Sequence, residues 1–321
     1  MSAVAEVRLL GAADIRAIAR RLGVRPTKKL GQNFVVEHGT VRQIAAIAAP
    51  VAGDVVLEVG PGLGSLTLAL LERVAEVNAR LIAVEIDPVL AGELPRTVAD
   101  RAPEAAGLLD VVRADALRLV PPDGGDADDP GRGGGAELPD MPTVLAAKQT
   151  VLAAKPTVLA ANLPYNVAVP VVLNLLAAFP SLARGVVMVQ AEVADRMCAP
   201  PGSRVYGAPS AKLAWYADAK PAGTVPRSVF WPVPNVDSKL VEFARHEAPD
   251  GDSSREETFS VIDAAFGQRR KTLRAALAGW SGSAAEAENV LRAAGVDPGA
   301  RGEALSVAEF ARIGLSRKYD S

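Results

Sequence analysis

Residues 54–64, DVVLEVGPGLG, give the clearest indication of the fold class of this chain. An apolar run that stops at a glycine-rich loop predicts a buried strand, and the apolar-periodic segment at 66–71 predicts a helix after the loop. Glycines let the backbone approach a bound molecule closely, as in folds that hold a nucleotide between a strand end and a helix start. We therefore predict an α/β domain that binds a nucleoside-containing cofactor.

Acidic residues follow the next two predicted strands. The strand at 81–84 ends in Glu85, and the strand at 109–112 leads to Asp115. A carboxylate at the end of the second strand is well placed to bind a ribose diol. The spacing G-x-G-x-G, with Glu58 near the end of the first strand, favours S-adenosyl-L-methionine over NAD, because an amino-acid tail needs no pyrophosphate cradle. Asp115 is expected beside the adenine end of this cofactor; the alternative is that it caps a helix.

A polar tetrapeptide, Asn162-Leu163-Pro164-Tyr165, follows the fourth predicted strand. In open α/β sheets, ligands bind at the carboxyl ends of the strands. The Asn162 side-chain oxygen and a neighbouring backbone carbonyl can accept both hydrogens of an exocyclic amine, while the Tyr165 ring stacks on the base. This arrangement suggests methylation of that nitrogen. The alternative is a proline turn in which the asparagine caps the helix that begins near residue 167.

Several further motifs occur in a characteristic order. They are KKLGQNF at 28–34, the glycine loop, NLPYN at 162–166, VQAEVADR at 189–196, PGSRVYG at 201–207, VFWPVPNVDS at 229–238 and RRKTLR at 269–274. With these motifs the chain resembles the KsgA (RsmA) family of ribosomal RNA adenine dimethyltransferases over most of its length. The resemblance implies a Rossmann-like S-adenosylmethionine-dependent methyltransferase domain followed by a small C-terminal all-helical domain.

The resemblance also implies roles for individual residues. Its cofactor contacts fall on Asn33, Val35, Gly60, Glu85, Asp115 and Asn162. Its catalytic and base-binding positions fall on Asn162, Leu163, Pro164, Tyr165 and Phe230. Tyr165 and Phe230 would clamp the base, and prolines near Phe230 predict an exposed, rigid loop there. No metal is expected, and neither histidine, His38 or His246, is given a role.

The activity that the resemblance implies is N6,N6-dimethylation of two adjacent adenines in the hairpin loop near the 3′ end of small-subunit (16S) rRNA. The partner would be this rRNA within a pre-30S particle, and the reaction would accompany maturation of the small subunit. Three alternatives stay open at this point: an Erm-like methylase of large-subunit RNA, a DNA adenine methylase with a similar motif, and a noncatalytic ribosome-assembly factor.

The chain departs from the family pattern in three places. Ala191 replaces a common lysine, and Val169 replaces a threonine-like residue. The third departure is an insertion at 121–156, which begins with an acidic, glycine-rich stretch that predicts a mobile loop. The insertion then runs into three tandem copies, PTVLAAK, QTVLAAK and PTVLAAN, of which the last is the fourth strand. We interpret the copies as a slippage duplication and assign no function to the insertion.

We predict three regions along the chain. Residues 1–49 form a basic helical arm, because the chain has eight Lys or Arg against three Asp or Glu up to residue 50. Residues 50–247 form the methyltransferase domain, and residues 248–321 form a helical RNA-recognition domain. In the last region Arg269, Arg270, Lys271 and Arg274 are expected to begin a helix. Basic residues at a helix start do not complement its dipole, which favours binding of an external anion such as RNA phosphate over a solvated charged face.

Composition is consistent with a folded enzyme. The chain has 321 residues, of which 49% are hydrophobic, and a net charge of −2. Its single cysteine, Cys198, excludes an intramolecular disulfide. We see neither an amino-terminal signal segment nor a membrane-length apolar run, and we expect a monomeric, cytoplasmic protein without membrane attachment.

Overall fold

The computed structural model describes residues 6–24, 33–119, 149–151, 153–164, 167–249 and 253–319. Within these residues, seven strands form one sheet: β2 (Val55–Val59), β3 (Arg80–Glu85), β4 (Leu109–Arg113), β5 (Val158–Asn162), β6 (Arg184–Gln190), β7 (Ala217–Val225) and β9 (Ser238–Arg245). Their order across the sheet is β4-β3-β2-β5-β6-β9-β7.

The five strands from β2 to β6 are parallel to their neighbours and follow the Rossmann-like pattern. From β2 the chain continues to β3 and β4 on one side of the sheet, and then to β5 and β6 on the other. Val59, the last residue of β2, is in register with Val84 of β3 and Ala161 of β5. The strand order therefore reverses between β2 and β5, where such sheets open a crevice for a ligand. The predicted fold class is confirmed.

Helices connect many of the strands and form most of the C-terminal region. Segment 65–77 is helical after the glycine loop because apolar side chains recur along its buried side; Leu66, Leu70 and Val74 are all buried. The helices are α1 (Ala12–Leu22), α2 (His38–Ala48), α3 (Ser65–Val77), α4 (Pro88–Arg101), α5 (Ala168–Ala178), α6 (Ala191–Met197), α7 (Ala208–Ala214), α8 (Arg255–Gly267), α9 (Leu273–Ala276), α10 (Ala278–Ser281), α11 (Ala284–Ala293) and α12 (Val307–Tyr319). Within the described ranges, no helix is both long and apolar enough to span a membrane.

A separate two-stranded ribbon joins two distant parts of the sequence. It consists of β1 (Phe34–Val35) and β8 (Phe230–Trp231), which pair antiparallel. Phe34 is opposite Trp231, and Val35 is opposite Phe230. The ribbon thus places the end of the KKLGQNF motif beside the aromatic residues of the VFWPVPNVDS motif.

The chain divides into two compact units, Met1–Ala194 with Pro221–Phe243, and Asp195–Lys220 with Ala244–Ser321. The first 49 residues, predicted as a separate basic arm, contribute Leu10, Ile15 and Ile44 to the hydrophobic core of the first unit. The second unit takes in residues 195–220, which the sequence-based boundaries assign to the methyltransferase domain. It does so because Tyr206 and Ala211 belong to the core that α8, α11 and α12 build.

The tandem copies adopt two different structures. Residues 149–151 and 153–154, in the second copy, are helical, whereas the third copy forms β5 as predicted. The first copy and the acidic, glycine-rich stretch of the insertion lie outside the described residues, so the predicted mobile loop stays a prediction.

Candidate active site

The glycine loop and the end of β5 meet at the crevice where the strand order reverses. Gly60 follows β2 with a positive φ of 69°, and its N–H donates to the carbonyl of Val84 over 2.9 Å. A Cβ atom at Gly60 would lie 3.8 Å from the carbonyl oxygen of Asn162. The loop that was predicted to bind a cofactor and the tetrapeptide that was predicted to bind a base therefore lie side by side.

Glu85 closes β3 and is held by the glycine loop. Its Oε2 accepts the N–H of Gly62 over 3.1 Å, and its Oε1 accepts the N–H of Asp87 over 3.0 Å. The side chain is buried, and this burial raises the pKa of Glu85 above its ordinary value. The two backbone donors fix the carboxylate at the strand end, in the position from which an acidic residue binds a ribose diol in related α/β folds.

Glu58 is a second buried carboxyl group, one residue before the end of β2. Burial, with the charge of nearby Glu85 adding to it, raises the pKa of Glu58 to about 8. The hydroxyl of Thr67 is near enough to lower this pKa slightly, but it does not reach hydrogen-bond geometry, and neither carboxyl oxygen has a hydrogen-bond partner among the described residues. A buried polar group without a partner is costly, and an ammonium group is the kind of donor that would satisfy it. The amino-acid tail of S-adenosylmethionine carries such a group, so the residues present fit this cofactor.

Asn162 is oriented by the segment that precedes β1. Its Nδ2 donates to the backbone carbonyl of Asn33 over 3.1 Å. Because a carbonyl oxygen can only accept, this contact assigns the amide orientation and leaves Oδ1 as the acceptor end. The alternative in which Asn162 caps the next helix is wrong: the residue at the cap position of α5 is Val167, and no side chain of a described residue caps that helix end.

The rest of the tetrapeptide is only partly described. Leu163 is buried, and its N–H donates to the carbonyl of Met188 over 3.1 Å. The carbonyl of Pro164 accepts the N–H of Val167 over 3.2 Å. Tyr165 lies outside the described residues, so its stacking role stays a prediction.

Phe230 lies in β8 and is only 2% exposed. The expectation of an exposed, rigid loop at this residue is wrong, because β8 pairs with β1 and places Phe230 in the core of the first unit. The same pairing sets Phe230 directly opposite Val35. The residue predicted to contact the base and a residue predicted to contact the cofactor therefore lie in the same two-stranded ribbon. Their roles stay predictions.

Asp115 follows β4 and caps a short 3₁₀ helix at Ala116–Arg118. Its Oδ1 accepts the N–H of Leu117 over 2.9 Å, which is the capping contact of the alternative interpretation. The N–H of Ala114 donates to the Glu85 carbonyl over 3.0 Å, so Asp115 still lies next to the end of β3. Capping uses one carboxylate oxygen, and a cofactor contact by Asp115 stays a prediction.

Phe34 is a site residue that its motif alone did not reveal. Its ring packs against Gly62, where a Cβ atom would lie 3.0 Å from Cε1 of Phe34. Its ring also stacks on Trp231, with ring centroids 6.3 Å apart. Phe34 is the last residue of the KKLGQNF motif, but the resemblance implied roles only for its two neighbours, Asn33 within the motif and Val35 just after it.

The two single-residue departures from the family pattern lie at helix starts. Val169 is in the first turn of α5, and Ala191 begins α6.

The basic run lies mainly in a turn between α8 and α9. Arg269, Arg270 and Lys271 precede α9, and Arg274 is inside this four-residue helix. The expectation that all four begin a helix is therefore wrong; α9 starts only at Leu273, whose apolar side chain is buried in the second unit.

Two of these cations are paired within the second unit. Arg269 contacts Glu303 over 3.1 Å and donates to the carbonyl of Arg204 over 2.7 Å. Arg274 contacts Glu288 over 3.0 Å. Arg270 and Lys271 are exposed, and neither makes an ion pair with any residue that the structure describes.

The sheet order, the glycine loop and the acidic strand ends together define a Rossmann-like methyltransferase that uses S-adenosylmethionine. Solved structures that share this fold include the following two. A dimethyladenosine transferase from Plasmodium falciparum matches with a TM-score of 0.64 and 22% identity, covering 87% of this chain and 95% of the other. The 23S rRNA methyltransferase ErmE matches with a TM-score of 0.57 and 23% identity, covering 89% of this chain and 100% of the other.

Sequence comparison identifies the family within this class. The family model described as ribosomal RNA adenine dimethylase matches residues 24–316. The chain is 58% identical over 314 residues to a ribosomal RNA small subunit methyltransferase A of Thermobifida fusca, with 98% of each chain covered. It is 59% identical over 309 residues to the protein of that name from Kineococcus radiotolerans, covering 96% of this chain and 92% of the other. The chain therefore belongs to the ribosomal RNA adenine dimethylase family, its cofactor is S-adenosylmethionine, and the resemblance found in its motifs is confirmed.

Proposed function

We propose that this enzyme dimethylates N6 of two adjacent adenines in the hairpin loop near the 3′ end of small-subunit rRNA, within a pre-30S particle. The names of its relatives support the choice of the small subunit. The observation that carries the chemistry is the contact between Asn162 and Asn33, because it presents Oδ1 of Asn162 as an acceptor at the crevice. We further propose that the enzyme acts as a cytoplasmic monomer.

The target amine needs activation because its lone pair is delocalised into the adenine ring. Oδ1 of Asn162 and one backbone carbonyl accept its two protons and favour the tetrahedral nitrogen that must attack. The Pro164 carbonyl already accepts the N–H of Val167, which favours Leu163 as the second acceptor. When bound, S-adenosylmethionine would supply an electrophilic methyl group carried on a positively charged sulfur. The methylated nitrogen is strongly acidic, so water takes its proton without a dedicated base.

The cofactor would be held by residues from five segments of the first unit, one of which is the end of β5 with Asn162. Glu85 would bind the ribose diol and Gly60 would allow close approach of the loop. Asn33 precedes β1, Val35 lies within it, and Asp115 lies beyond β4 near the expected adenine end.

The target base would be held by Tyr165 and Phe230. Phe230 is buried, so its ring would contact the base only if β8 forms part of the wall of the crevice.

RNA binding is proposed to depend on the basic turn before α9. Arg270 and Lys271 are the best candidates for phosphate contacts, since no described ion pair has to be broken to free them. Arg269 and Arg274 would contribute less, because each would first have to leave its carboxylate partner. The difference would be small, since an exposed ion pair of this kind is worth only about 0–1 kcal/mol.

Replacing Arg270 and Lys271 with Gln should weaken particle binding and flatten its dependence on salt. The magnitude of the log–log salt slope should fall by about 0.7–0.9 for each phosphate that the variant no longer neutralises. Arg292→Gln is a control for the loss of one surface charge, because Arg292 is exposed in the same unit but already pairs with Glu288. A slope equal to that of the parent enzyme would remove the basic turn from the RNA-binding surface.

The central test is methyl transfer to small-subunit particles that lack the modification. We expect mass spectrometry of the isolated rRNA to show two adjacent N6,N6-dimethyladenines near the 3′ end. Labelling of large-subunit RNA instead would favour an Erm-like enzyme. Particle binding without any methyl transfer would favour a noncatalytic assembly factor.

A further inference from the structure

We infer that Phe34 is a positioning residue, whose ring docks the β1–β8 ribbon on the glycine loop and so keeps the Asn33 carbonyl where it orients Asn162. The inference rests on the proposed role of Asn162 as the acceptor for the target amine. It assigns a function to a buried aromatic residue that touches the cofactor loop.

The contacts of Phe34 point to docking rather than to simple filling of the core. The side chain is 7% exposed and packs on the Cα of Gly62, since a Cβ atom there would lie 3.0 Å from Cε1 and 3.2 Å from Cδ1 of the ring. Gly62 is also the residue whose N–H holds Glu85. The ring therefore touches the loop one hydrogen bond away from the carboxylate expected to bind the cofactor ribose.

The ribbon needs such an anchor because it is very short. It has two residues in each strand, extended by a hydrogen bond of 2.8 Å from the N–H of Val36 to the carbonyl of Val229. A two-stranded ribbon of this size is not stable by itself. Phe34 and the opposite Trp231 share one face of the ribbon, because opposite residues in a ladder point the same way. Their stacked rings, with an interplanar angle of 22°, fix the ribbon against the loop.

The catalytic consequence passes through the residue before the ribbon. The carbonyl of Asn33 accepts Nδ2 of Asn162, so a shift of β1 would move the group that sets the amide orientation. Displacement of a reacting group by about 1 Å can cost about a hundredfold in rate. Loss of the Phe34 ring should therefore lower kcat more than it weakens the binding of either substrate.

The test compares Phe34→Leu with Phe243→Leu. Phe243 is 1% exposed in β9 of the same unit and packs near Gly185, away from the crevice, so its loss measures the general cost of removing a buried ring. Both variants should have a lower melting temperature. In single-turnover and steady-state assays on the particle, Phe34→Leu should lower kcat by about tenfold to a hundredfold, with smaller changes in KM for the particle and in cofactor affinity. Phe243→Leu should leave kcat within about twofold of the parent enzyme. Phe34→Tyr, which keeps the ring, should retain most of the parent kcat.

A double-mutant cycle with Asn162→Ala shows whether Phe34 acts through Asn162. On the Asn162→Ala background, Phe34→Leu should lower the residual rate little further, because the amide that it positions is gone. Equal kcat for Phe34→Leu and Phe243→Leu, a loss confined to KM, or full additivity in the cycle would each overturn the inference. If Phe34→Leu does not fold, Trp231→Leu removes the stacked partner from the same face and is judged by the same outcomes. Absence of transfer by the parent enzyme would instead count against the proposed function.

Discussion

The same five residues, Thr-Val-Leu-Ala-Ala, adopt two structures within a few residues of each other. In the strand copy, residues 157–161, they lead into and form most of β5; in the helical copy, residues 150–154, the described residues form a helical turn. Identical local sequence means identical intrinsic propensity, so propensity did not choose between the two. The difference shows that the neighbours of each copy decide its structure.

The strand copy is held by contacts that begin at its first residue. The hydroxyl of Thr157 donates to Oδ1 of Asp54 over 2.7 Å and accepts the N–H of Val55 over 3.1 Å. Arg184, at the start of β6, contacts the same Asp54 over 2.6 Å. Beyond Thr157 the side chains of residues 158–161 are fully buried between β2 and β6.

The helical copy is in a different environment. Thr150 and Ala153 are exposed, while Val151 is buried. The two copies are separated by Lys155, which has a left-handed φ of 51° and precedes Pro156. A residue before proline avoids the right-handed helical region, so the helix cannot continue into the next copy. The left-handed turn allows the chain to enter the sheet.

The largest expected effect on stability comes from the difference in burial between the two copies. Ala160→Asp places a carboxylate in the centre of the sheet, next to Glu58 in register, and should cost more than about 4 kcal/mol of stability and leave little folded protein. Ala153→Asp, the equivalent change in the helical copy, should cost less than about 1 kcal/mol because the site is exposed. Urea unfolding of both variants measures the difference. Similar losses in both would mean that the helical copy is as closely packed as the strand copy.

The next effect is a difference in methyl-transfer rate between variants of Asn162 and Lys155, the residues that end the strand copy and the helical copy. Asn162→Ala should raise the barrier to methyl transfer by about 2–4 kcal/mol, because an acceptor of the target amine is lost. Lys155→Ala, at the matching position of the helical copy, should leave the single-turnover rate unchanged. Thermal unfolding should show both variants folded. A near-normal rate for Asn162→Ala would remove it from the proposed mechanism.

The pH dependence of stability should reflect Glu58, which lies opposite Ala160 of the strand copy. Its folded-state pKa of about 8 is above its ordinary value of 4.5, so the folded protein keeps a proton that the unfolded chain releases. The stability of the cofactor-free protein should therefore fall as the pH rises from about 4.5 to about 8, and level off above that. Glu58→Gln removes this loss of stability and should be more stable than the parent at pH 9 by on the order of 1–3 kcal/mol. The gain is limited because the glutamine amide is also left without a hydrogen-bond partner there. Parallel pH profiles for the two proteins would show that Glu58 is ionised in the fold.

The smallest effect concerns the junction between the copies. Lys155→Gly should stabilise the protein by about 0.5–1 kcal/mol, since glycine adopts a left-handed φ without the steric cost that a side chain adds. Lys155→Ala serves as the comparison, because alanine keeps the Cβ atom. A glycine variant that is less stable than the alanine variant would show that the junction is not strained.

Much of the fold and the cofactor site was predictable from short motifs. The glycine loop after an apolar run, Glu85 at the next strand end and Asn162 after the fourth predicted strand were all placed at strand ends by their position in the sequence. The carboxyl ends of parallel strands meet at one edge of the sheet, so local pattern was sufficient to bring these residues together. Their individual contacts with cofactor and base stay predictions.

Contacts between distant segments were not predictable in this way. Prolines suggested an exposed loop at Phe230, but pairing of β8 with β1, about two hundred residues away in sequence, buries it. The orientation of Asn162 likewise depends on a carbonyl at Asn33, and docking of the ribbon depends on Phe34 against Gly62.

The class of fold, the cofactor and the family follow from the amino-acid order alone, because they depend on residue types at fixed spacing along single strand–loop–helix units. Which copy of the repeat becomes β5, which side chains are buried, and how the Asn162 amide is turned follow only from long-range packing. Identical pentapeptides have identical local preferences, and buried area and hydrogen-bond partners supplied by other strands are the free-energy terms that distinguish them.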